Sequence, residues 1–375
     1  RAAQDEQFGA PRGAAGQWGS CVRVVDPTTS PMSTTCVLEL DNNEAALCLA
    51  VVTFAEKGEG NLMLAVGTVK AMQFNPRSSE GGFIHLYAIS EDGRSLTLMH
   101  KTPVDAVPSA LCAFQGRLLA GVGNCLRMYE LGKRKLLRKC ENNNFPSFIQ
   151  SITAVGDRIY VGDLQESFHY VKYKRSDNAM YVFADDFNPR YLTAALNMDY
   201  DTMAGGDKFG NVFFTRLASE VSEEVEDDPT GGKHSAAQGV LNGAPHKVDE
   251  IVQFHVGETV TSLQRAVMQP GGGEVVLYGT IMGGLGALLP FTSREDVDFF
   301  NHLEMHLRQE APPLCGRDHM SYRSYYFPVK DCIDGDLCEQ FGQLSPDLQR
   351  KIAEELDRTP AEVLKKLEDI RAKIM

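Results

Sequence analysis

Arg117-Leu118-Leu119-Ala120-Gly121 and Arg158-Ile159-Tyr160-Val161-Gly162 carry one pattern, 41 residues apart. In each, an apolar run closes on a glycine, and a second apolar run begins a few residues later. The pattern returns at Gly67, Gly205 and Gly279, with Gly205 lying 43 residues beyond Gly162. A unit recurring every 40 to 45 residues or so has the size of a β-propeller blade. Each unit reads as four short strands. The third, for example, runs Ile149–Val155, Arg158–Gly162, Ser167–Tyr173 and Ala179–Ala184. The fourth runs Tyr191–Met198, Thr202–Gly205, Asn211–Leu217 and Ile251–Val256. The second strands are apolar throughout. The third strands alternate, as in Phe168-x-Tyr170-x-Lys172, which predicts buried inner strands and wetter outer ones. A β-sandwich of irregular hairpins is the alternative, disfavoured because the spacing is kept. No Trp-Asp dipeptide occurs, so the common Trp-Asp repeat is excluded. A propeller is more often a binding platform than an enzyme.

Composition narrows the class. The chain has 375 residues, 43% of them hydrophobic, which suits one large repeat domain and a small appendage. A formal charge of −13 argues against a general nucleic-acid binder and suits basic partner segments. Nine scattered cysteines form no Cys-x-x-Cys and read as reduced core residues of an intracellular protein. No apolar stretch has membrane-spanning length, so no membrane association is expected. Arg1 rather than Met at the start suggests a piece of a longer or processed product.

The expected organisation is a flexible leader over 1–17, a propeller over 18–330, and a helical domain over 331–375. Val22–Asp26, Thr34–Leu40 and Tyr322–Phe327 read as three strands outside the five units. Three strands cannot complete a four-stranded blade, and an open sheet edge invites pairing. One or more strands are therefore expected from outside this stretch of chain. Two insertions interrupt the repeat. One is a polar loop within 67–82. The other, 219–247, holds six acids between Glu220 and Asp228 with no base, and reads as a mobile loop or a strip for a basic partner. A helix is expected over 293–309, entered at Ser293. Helices follow over 334–341, after Ser345-Pro346 and after Thr359-Pro360-Ala361-Glu362, the last combining an N-cap, a proline at the first helical position and a capping glutamate.

Candidate chemistry is sparse. His302 and His306 stand four apart and could clip a metal, but no third ligand is evident. Asp334 and Asp336 flank Gly335; they read as a helix-entry cap, with acid–base or cation-binding work as the alternative. The one dense basic run is Lys133, Arg134, Lys135, Arg138 and Lys139, on a turn and outer strand. It reads as a solvated edge, or as a contact for RNA or an acidic partner. No catalytic residue, cofactor site or metal site is expected.

Several stretches carry a family resemblance. They are Cys315-Gly316-Arg317-Asp318-His319, Arg323-Ser324-Tyr325-Tyr326-Phe327-Pro328 and Ile333-Asp334-Gly335-Asp336-Leu337-Cys338-Glu339-Gln340-Phe341. Earlier ones are His100-Lys101-Thr102-Pro103-Val104, Gly162-Asp163-Leu164-Gln165-Glu166-Ser167-Phe168 and Gly206-Asp207-Lys208-Phe209-Gly210-Asn211. They resemble the family that comprises splicing factor 3B subunit 3, damage-specific DNA-binding protein 1 and the large subunit of the cleavage and polyadenylation specificity factor. Glu355-Leu356-Asp357-Arg358-Thr359-Pro360 favours its splicing branch. The resemblance covers roughly 18–370. It implies three propellers and a C-terminal helical domain, this chain being most of a seven-bladed third propeller plus that domain. It further implies a non-enzymatic, nuclear, hetero-oligomeric scaffold. The partners implied are a HEAT-repeat subunit and small subunits of the splicing factor 3B complex, which serves branch-site recognition in the U2 small nuclear ribonucleoprotein. Arg317, His319 and Arg323 join the basic run as candidate contact residues. A cullin-ligase adaptor and a subunit of the 3′-end processing machinery are the family's alternatives.

Overall fold

The computed structural model describes residues 13–55, 62–133, 135–231, 243–310, 312–313 and 315–373. The expected leader falls largely on 1–12, outside the described residues. Two compact units divide the chain: Arg1–Arg190 with Ser219–Lys247, and Tyr191–Ala218 with Val248–Met375.

The first unit opens with an antiparallel pair, β1 (Cys21–Asp26) and β2 (Ser33–Glu39). Three four-stranded antiparallel meanders follow. The first is β3 (Glu44–Thr53), β4 (Leu62–Lys70), β7 (Gly82–Ile89) and β8 (Leu96–Val104), with a two-residue pair, β5 (Gln73–Phe74) and β6 (Arg77–Ser78), inside the polar insertion. The second is β9 (Pro108–Phe114), β10 (Arg117–Val122), β11 (Cys125–Leu131) and β12 (Leu136–Asn142). The third is β13 (Ile149–Val155), β14 (Arg158–Asp163), β15 (Ser167–Lys174) and β16 (Ala179–Asp186). In the second unit β17 (Leu192–Asn197), β18 (Thr202–Asp207), β19 (Asn211–Arg216) and the part of β20 (His246–His255) from Val248 onward pair in sequence order. A three-stranded sheet, β21 (Val260–Val267), β22 (Glu274–Thr280) and β23 (Leu285–Leu288), completes the five repeats. This is the mainly-β, propeller-type repeat expected, with small helices at the C-terminal end.

Each repeat is built around the same local device. In every first strand the pairing register skips one residue: Leu47, Ser109, Gln150, Thr193 and Thr261. The residue after the skip pairs with a glycine of the second strand, giving Cys48↔Gly67, Ala110↔Gly121, Ser151↔Gly162, Ala194↔Gly206 and Ser262↔Gly279. The repeating position in the fourth unit is thus Gly206, one residue beyond the Gly205 expected from spacing. The glycine lets the next repeat approach. A Cβ on Gly67 would lie 2.9 Å from the Pro108 carbonyl of β9, one on Gly121 2.5 Å from Ile149 Cγ2 of β13, and one on Gly206 2.8 Å from Val260 of β21. Two of the bulged residues add a hydroxyl clasp: Ser109 Oγ donates to the Ile149 carbonyl, and Thr193 Oγ1 to that of Val260. Bulges are where a strand can re-aim a side chain in this way.

Burial follows the expected gradient, with one exception. The second strands β10, β14 and β18 are buried almost throughout. The third strands β7, β11, β15 and β19 are largely buried on both faces rather than alternating, Lys172 of β15 included. Lys172 is covered by the acidic insertion. Its first part is the helix α1 (Ser219–Asp227), not a loop. Val225 is buried, Glu226 pairs with Lys172, and Ser222 Oγ accepts from Arg158 Nη2 at 3.0 Å. Glu226 therefore meets the cations Lys172 and Arg158 within the first unit. The remainder, 232–242, lies outside the described residues.

The C-terminal helices are α2 (Arg294–Glu310), α3 (His319–Arg323), α4 (Gly335–Glu339) continued by a 3-10 turn to Gln343, α5 (Pro346–Glu355) and α6 (Pro360–Arg371). The strand expected over Tyr322–Phe327 does not form. Asp318 caps α3 by accepting from Met320 N and Ser321 N, and this carries Tyr322 and Arg323 into helix. The expected capping box is present: Thr359 and Glu362 bond reciprocally at the start of α6. Phe300, Leu303 and Leu307 of α2 share one core with Leu337, Phe341, Ile352, Val363 and Leu367, so α2 packs with the helices that follow.

Candidate interaction surface

The basic run is largely neutralised. β11 and β12 pair so that Tyr129 faces Arg138. Lys139 Nζ reaches Glu130 at 3.2 Å and Arg138 Nη1 reaches Glu141 at 2.9 Å. Arg127 also binds Glu141 and Asp105. Lys133 and Lys135 are exposed and make no ion pair among the described residues; Arg134 lies outside them. Two cations on a turn are a modest electrostatic feature, not a phosphate-tracking stripe.

The other basic candidates have different fates. Arg323 is buried. Its Nε bonds Asp334 Oδ2 at 2.7 Å, its Nη2 Asp334 Oδ1 at 3.3 Å, and its Nη1 donates to the His255 carbonyl at 3.0 Å. Asp334 also accepts from Leu337 N at 3.1 Å, which makes it the N-cap of α4, as read from the sequence. The Arg323 and Asp334 stretches that carry the family resemblance are thus tied together by a forked ion pair. Arg323 is consequently unavailable to a partner. His319 is buried too, with Nε2 3.1 Å from the Pro312 carbonyl. Arg317 is exposed.

The arrangements with a catalytic look are closed or incomplete. Glu44, Thr68 and His85 form a buried chain in which His85 Nε2 lies 2.7 Å from Glu44, Nδ1 lies 3.0 Å from the Tyr87 hydroxyl, and Thr68 Oγ1 bonds Glu44. Burial outweighs the Glu44 carboxylate and holds His85 below the ordinary 6.5. Thr68 and His85 have no exposed surface, so a substrate has no approach. His306 faces Glu355 at 3.4 Å while His302 is exposed. Among the described residues no cluster of three His, Cys, Asp or Glu is disposed to hold a metal, no cysteine pairs, and no helix is long and apolar enough to cross a membrane.

A further site emerges only in the structure. Asp207 closes the β18–β19 turn from inside: Oδ1 accepts from Phe209 N at 2.8 Å and Asn211 N at 3.0 Å, and Oδ2 from Asn211 Nδ2 at 2.7 Å. Asp163 holds the β14–β15 turn in the same manner through Gln165 N and Glu166 N. The Asp207 turn presents Lys208 and Phe209 to solvent. Lys208 Nζ sits 3.6 Å above the Tyr191 ring, a cation–π contact. Phe209 meets Tyr326 at 4.9 Å, Tyr326 meets Tyr325 at 4.7 Å, and Tyr325 stacks on His255 at 4.7 Å. Burial lowers the His255 imidazole below its ordinary 6.5, and its Nδ1 lies 3.1 Å from Asn211 Oδ1. Tyr191, Phe209, Tyr325 and Tyr326 are all exposed. In sequence these rings stand in three separate stretches. The signal available was an Asp-Lys-Phe-Gly turn, whose buried aspartate leaves the next two side chains outward.

The fold is that of a propeller-type β repeat with small C-terminal helices. Residues 19–343 match the model of the CPSF A subunit region, and the chain belongs to that family. It is 65% identical over 372 residues to spliceosome-associated protein 130 A of Arabidopsis thaliana, covering 99% of this chain and 30% of the relative. It is 52% identical to splicing factor 3B subunit 3 of Danio rerio and 50% identical to pre-mRNA-splicing factor RSE1 of Mycosarcoma maydis, covering 98% and 97% of this chain. It spans about 30% of the length of each of these relatives.

Proposed function

We propose that this chain is part of a non-enzymatic scaffold subunit of the splicing factor 3B complex, acting in the nucleus. It supports pre-mRNA branch-site recognition through protein–protein contacts with a HEAT-repeat subunit and small subunits. The observation that carries the reading is identity of 50–65% along nearly the whole chain to relatives named as splicing factors. The exposed aromatic surface is in keeping with it, because aromatic side chains are enriched at protein interfaces. In this reading the five repeats belong to the third of three propellers, with 331–375 its helical appendage. Of the described basic candidates read from the sequence, Lys133, Lys135 and Arg317 remain for an acidic partner or RNA.

The test is affinity purification of the full-length protein from nuclear extract. Stoichiometric recovery of splicing factor 3B subunits is expected. Recovery of a cullin instead would favour the ligase-adaptor reading, and absence of every splicing subunit would overturn the proposal.

A further inference from the structure

Helix α1 is weak as a helix and depends on the surface beneath it. It has nine residues, fewer than an isolated helix needs to persist in water. Its acids stand like above like, Glu220 with Glu224 and Glu223 with Asp227, each pair four apart. Its last turn carries Asp227 and no base, which opposes the helix dipole. Val225 is its only buried residue. The rest of its hold is polar. Arg158 of β14 and Lys172 of β15 face each other in register. Arg158 Nη2 donates to Ser222 Oγ at 3.0 Å and lies 3.8 Å from Glu226 Oε1. The Arg158 side chain has no exposed surface, and its guanidinium carbon sits 5.3 Å from the centre of the Phe183 ring. Lys172 Nζ bonds Glu226 and lies 3.3 Å from Asp157 Oδ2. Two cations thus meet two carboxylates, and the charge under α1 is already balanced.

The sequence around Ser222 has a second property. Five of the six residues after it are acidic: Glu223, Glu224, Glu226, Asp227 and Asp228. No Lys or Arg occurs between Ser219 and Gly232. Protein kinases choose substrates by charge pattern, and a serine followed by such a run suits one with a basic substrate groove. The acids alone would be a solvated face. The contact between the Ser222 hydroxyl and the buried Arg158 is what gives a change at this serine a structural effect.

We propose that Ser222 is a phosphoacceptor for an acid-directed protein kinase, and that its phosphorylation stops α1 from closing over Arg158 and Lys172. Ser222 Oγ attacks the terminal phosphorus of a nucleoside triphosphate. The Oγ–P bond forms as the bond from that phosphorus to its bridging oxygen breaks. The nucleoside diphosphate leaves, and the hydroxyl proton passes to the catalytic aspartate of the kinase. Ser222 is half-buried, so transfer takes place on the open form of α1, which a marginal helix visits by local unfolding. The phosphate brings a charge of about −1.5 to −2. Reclosing would set it against Arg158 beside Glu226, with no cation left to match it. The direct contact of Oγ with Arg158 Nη2 also leaves no room for a phosphorus and its oxygens. The modified helix therefore stays open, where phosphate and glutamates are hydrated, and the Arg158–Lys172 pair is uncovered. The proposal is independent of the scaffold reading above.

The experiment incubates the full-length protein with a purified acid-directed serine kinase and ATP. Tandem mass spectrometry maps the phosphate, and amide hydrogen exchange follows α1. Phosphate is expected on Ser222, and none at this position in Ser222→Ala. Amides of 222–227 should exchange at least tenfold faster in the phosphorylated protein, with those of β14 and β15 unchanged. Val225→Ala removes the apolar anchor of α1 and leaves every acid in place. It should raise the rate of phosphorylation severalfold while β14 and β15 keep their protection, because the rate follows the population of the open form. Absence of phosphate from Ser222 in both the unaltered protein and Val225→Ala would overturn the proposal, as would phosphate on Ser219 alone. So would unchanged or slower exchange of α1 after modification, the slower case meaning that the phosphate had replaced Glu226 on Arg158.

Discussion

Replacing Arg323 with methionine isolates the ion pair that joins two of the motifs carrying the family resemblance. Methionine keeps the length and can still pack against Phe254, whose ring lies 4.7 Å from the guanidinium. What is lost is the charge. Asp334 is 2% exposed and would keep only the Leu337 amide as a donor at its carboxylate. It also faces Glu304, which accepts from Asp334 N at 3.1 Å and whose own carboxyl is pushed up by burial. Removing one member of a buried pair costs about 3–5 kcal/mol, because the other charge is left uncompensated. At about 1.4 kcal/mol per decade, the amides of Leu337 and Cys338 should exchange with deuterium some 10²–10³·⁵ times faster in the full-length protein, by opening of α3 and α4. The double variant Arg323→Met with Asp334→Asn is the critical comparison. Asparagine retains the N-cap oxygen without the charge, so most of the lost protection should return. Exchange within tenfold of the unaltered protein in Arg323→Met, or no recovery in the double variant, would refute the reasoning.

Three further outcomes follow from the geometry. Gly121→Ala should cost about 1–3 kcal/mol by overpacking Ile149 across the seam between repeats, whereas Gly335→Ala, which meets nothing within 4 Å, should be near neutral; denaturant melts of both variants check this. His169 is held neutral by burial, below the ordinary 6.5, while the unfolded imidazole protonates near that value. The unfolded state therefore binds more protons, and stability falls as pH drops below 6.5, by up to about 1.4 kcal/mol per pH unit from this group; His169→Gln should flatten a stability–pH curve over pH 7 to 5. Thr359→Ala should cost about 1 kcal/mol by dismantling the capping box, read as faster exchange confined to the first turn of α6.

Much of the repeat was legible because glycine at a close approach and apolarity on both strand faces are local necessities. Gly67, Gly121 and Gly279 could be read directly. Spacing alone points to Gly205, which stands in one run with Gly206, and only the bulge at Thr193 shows that Gly206 faces the next repeat. The acidic stretch after Ser219 looked unstructured because its cationic partners, Arg158 and Lys172, lie more than forty residues upstream. Tyr322 and Arg323 sit in an aromatic-rich, strand-like stretch, but the Asp318 cap and the tie to Asp334 place them in a helix. The aromatic surface was hidden for a related reason: alternating rings in a strand pattern read as core, and only three-dimensional juxtaposition leaves Phe209 and Tyr326 facing water.

The interval between β19 and β20 has a consequence for synthesis. In the other repeats the next strand follows far sooner in sequence, the longest such interval being that from Lys70 of β4 to Gly82 of β7, so each pairing can close soon after it leaves the ribosome. β19 ends at Arg216, yet its partner begins only at His246. At about 5–20 residues per second, translation leaves the outer side of β19 unpaired for roughly two to six seconds. The nascent chain thus carries a vacant strand edge there for far longer than a hairpin takes to form. A slow-translating stretch within 217–245 would prolong that window. It is the point along the chain where a chaperone, or a wrong strand, has the most time to bind.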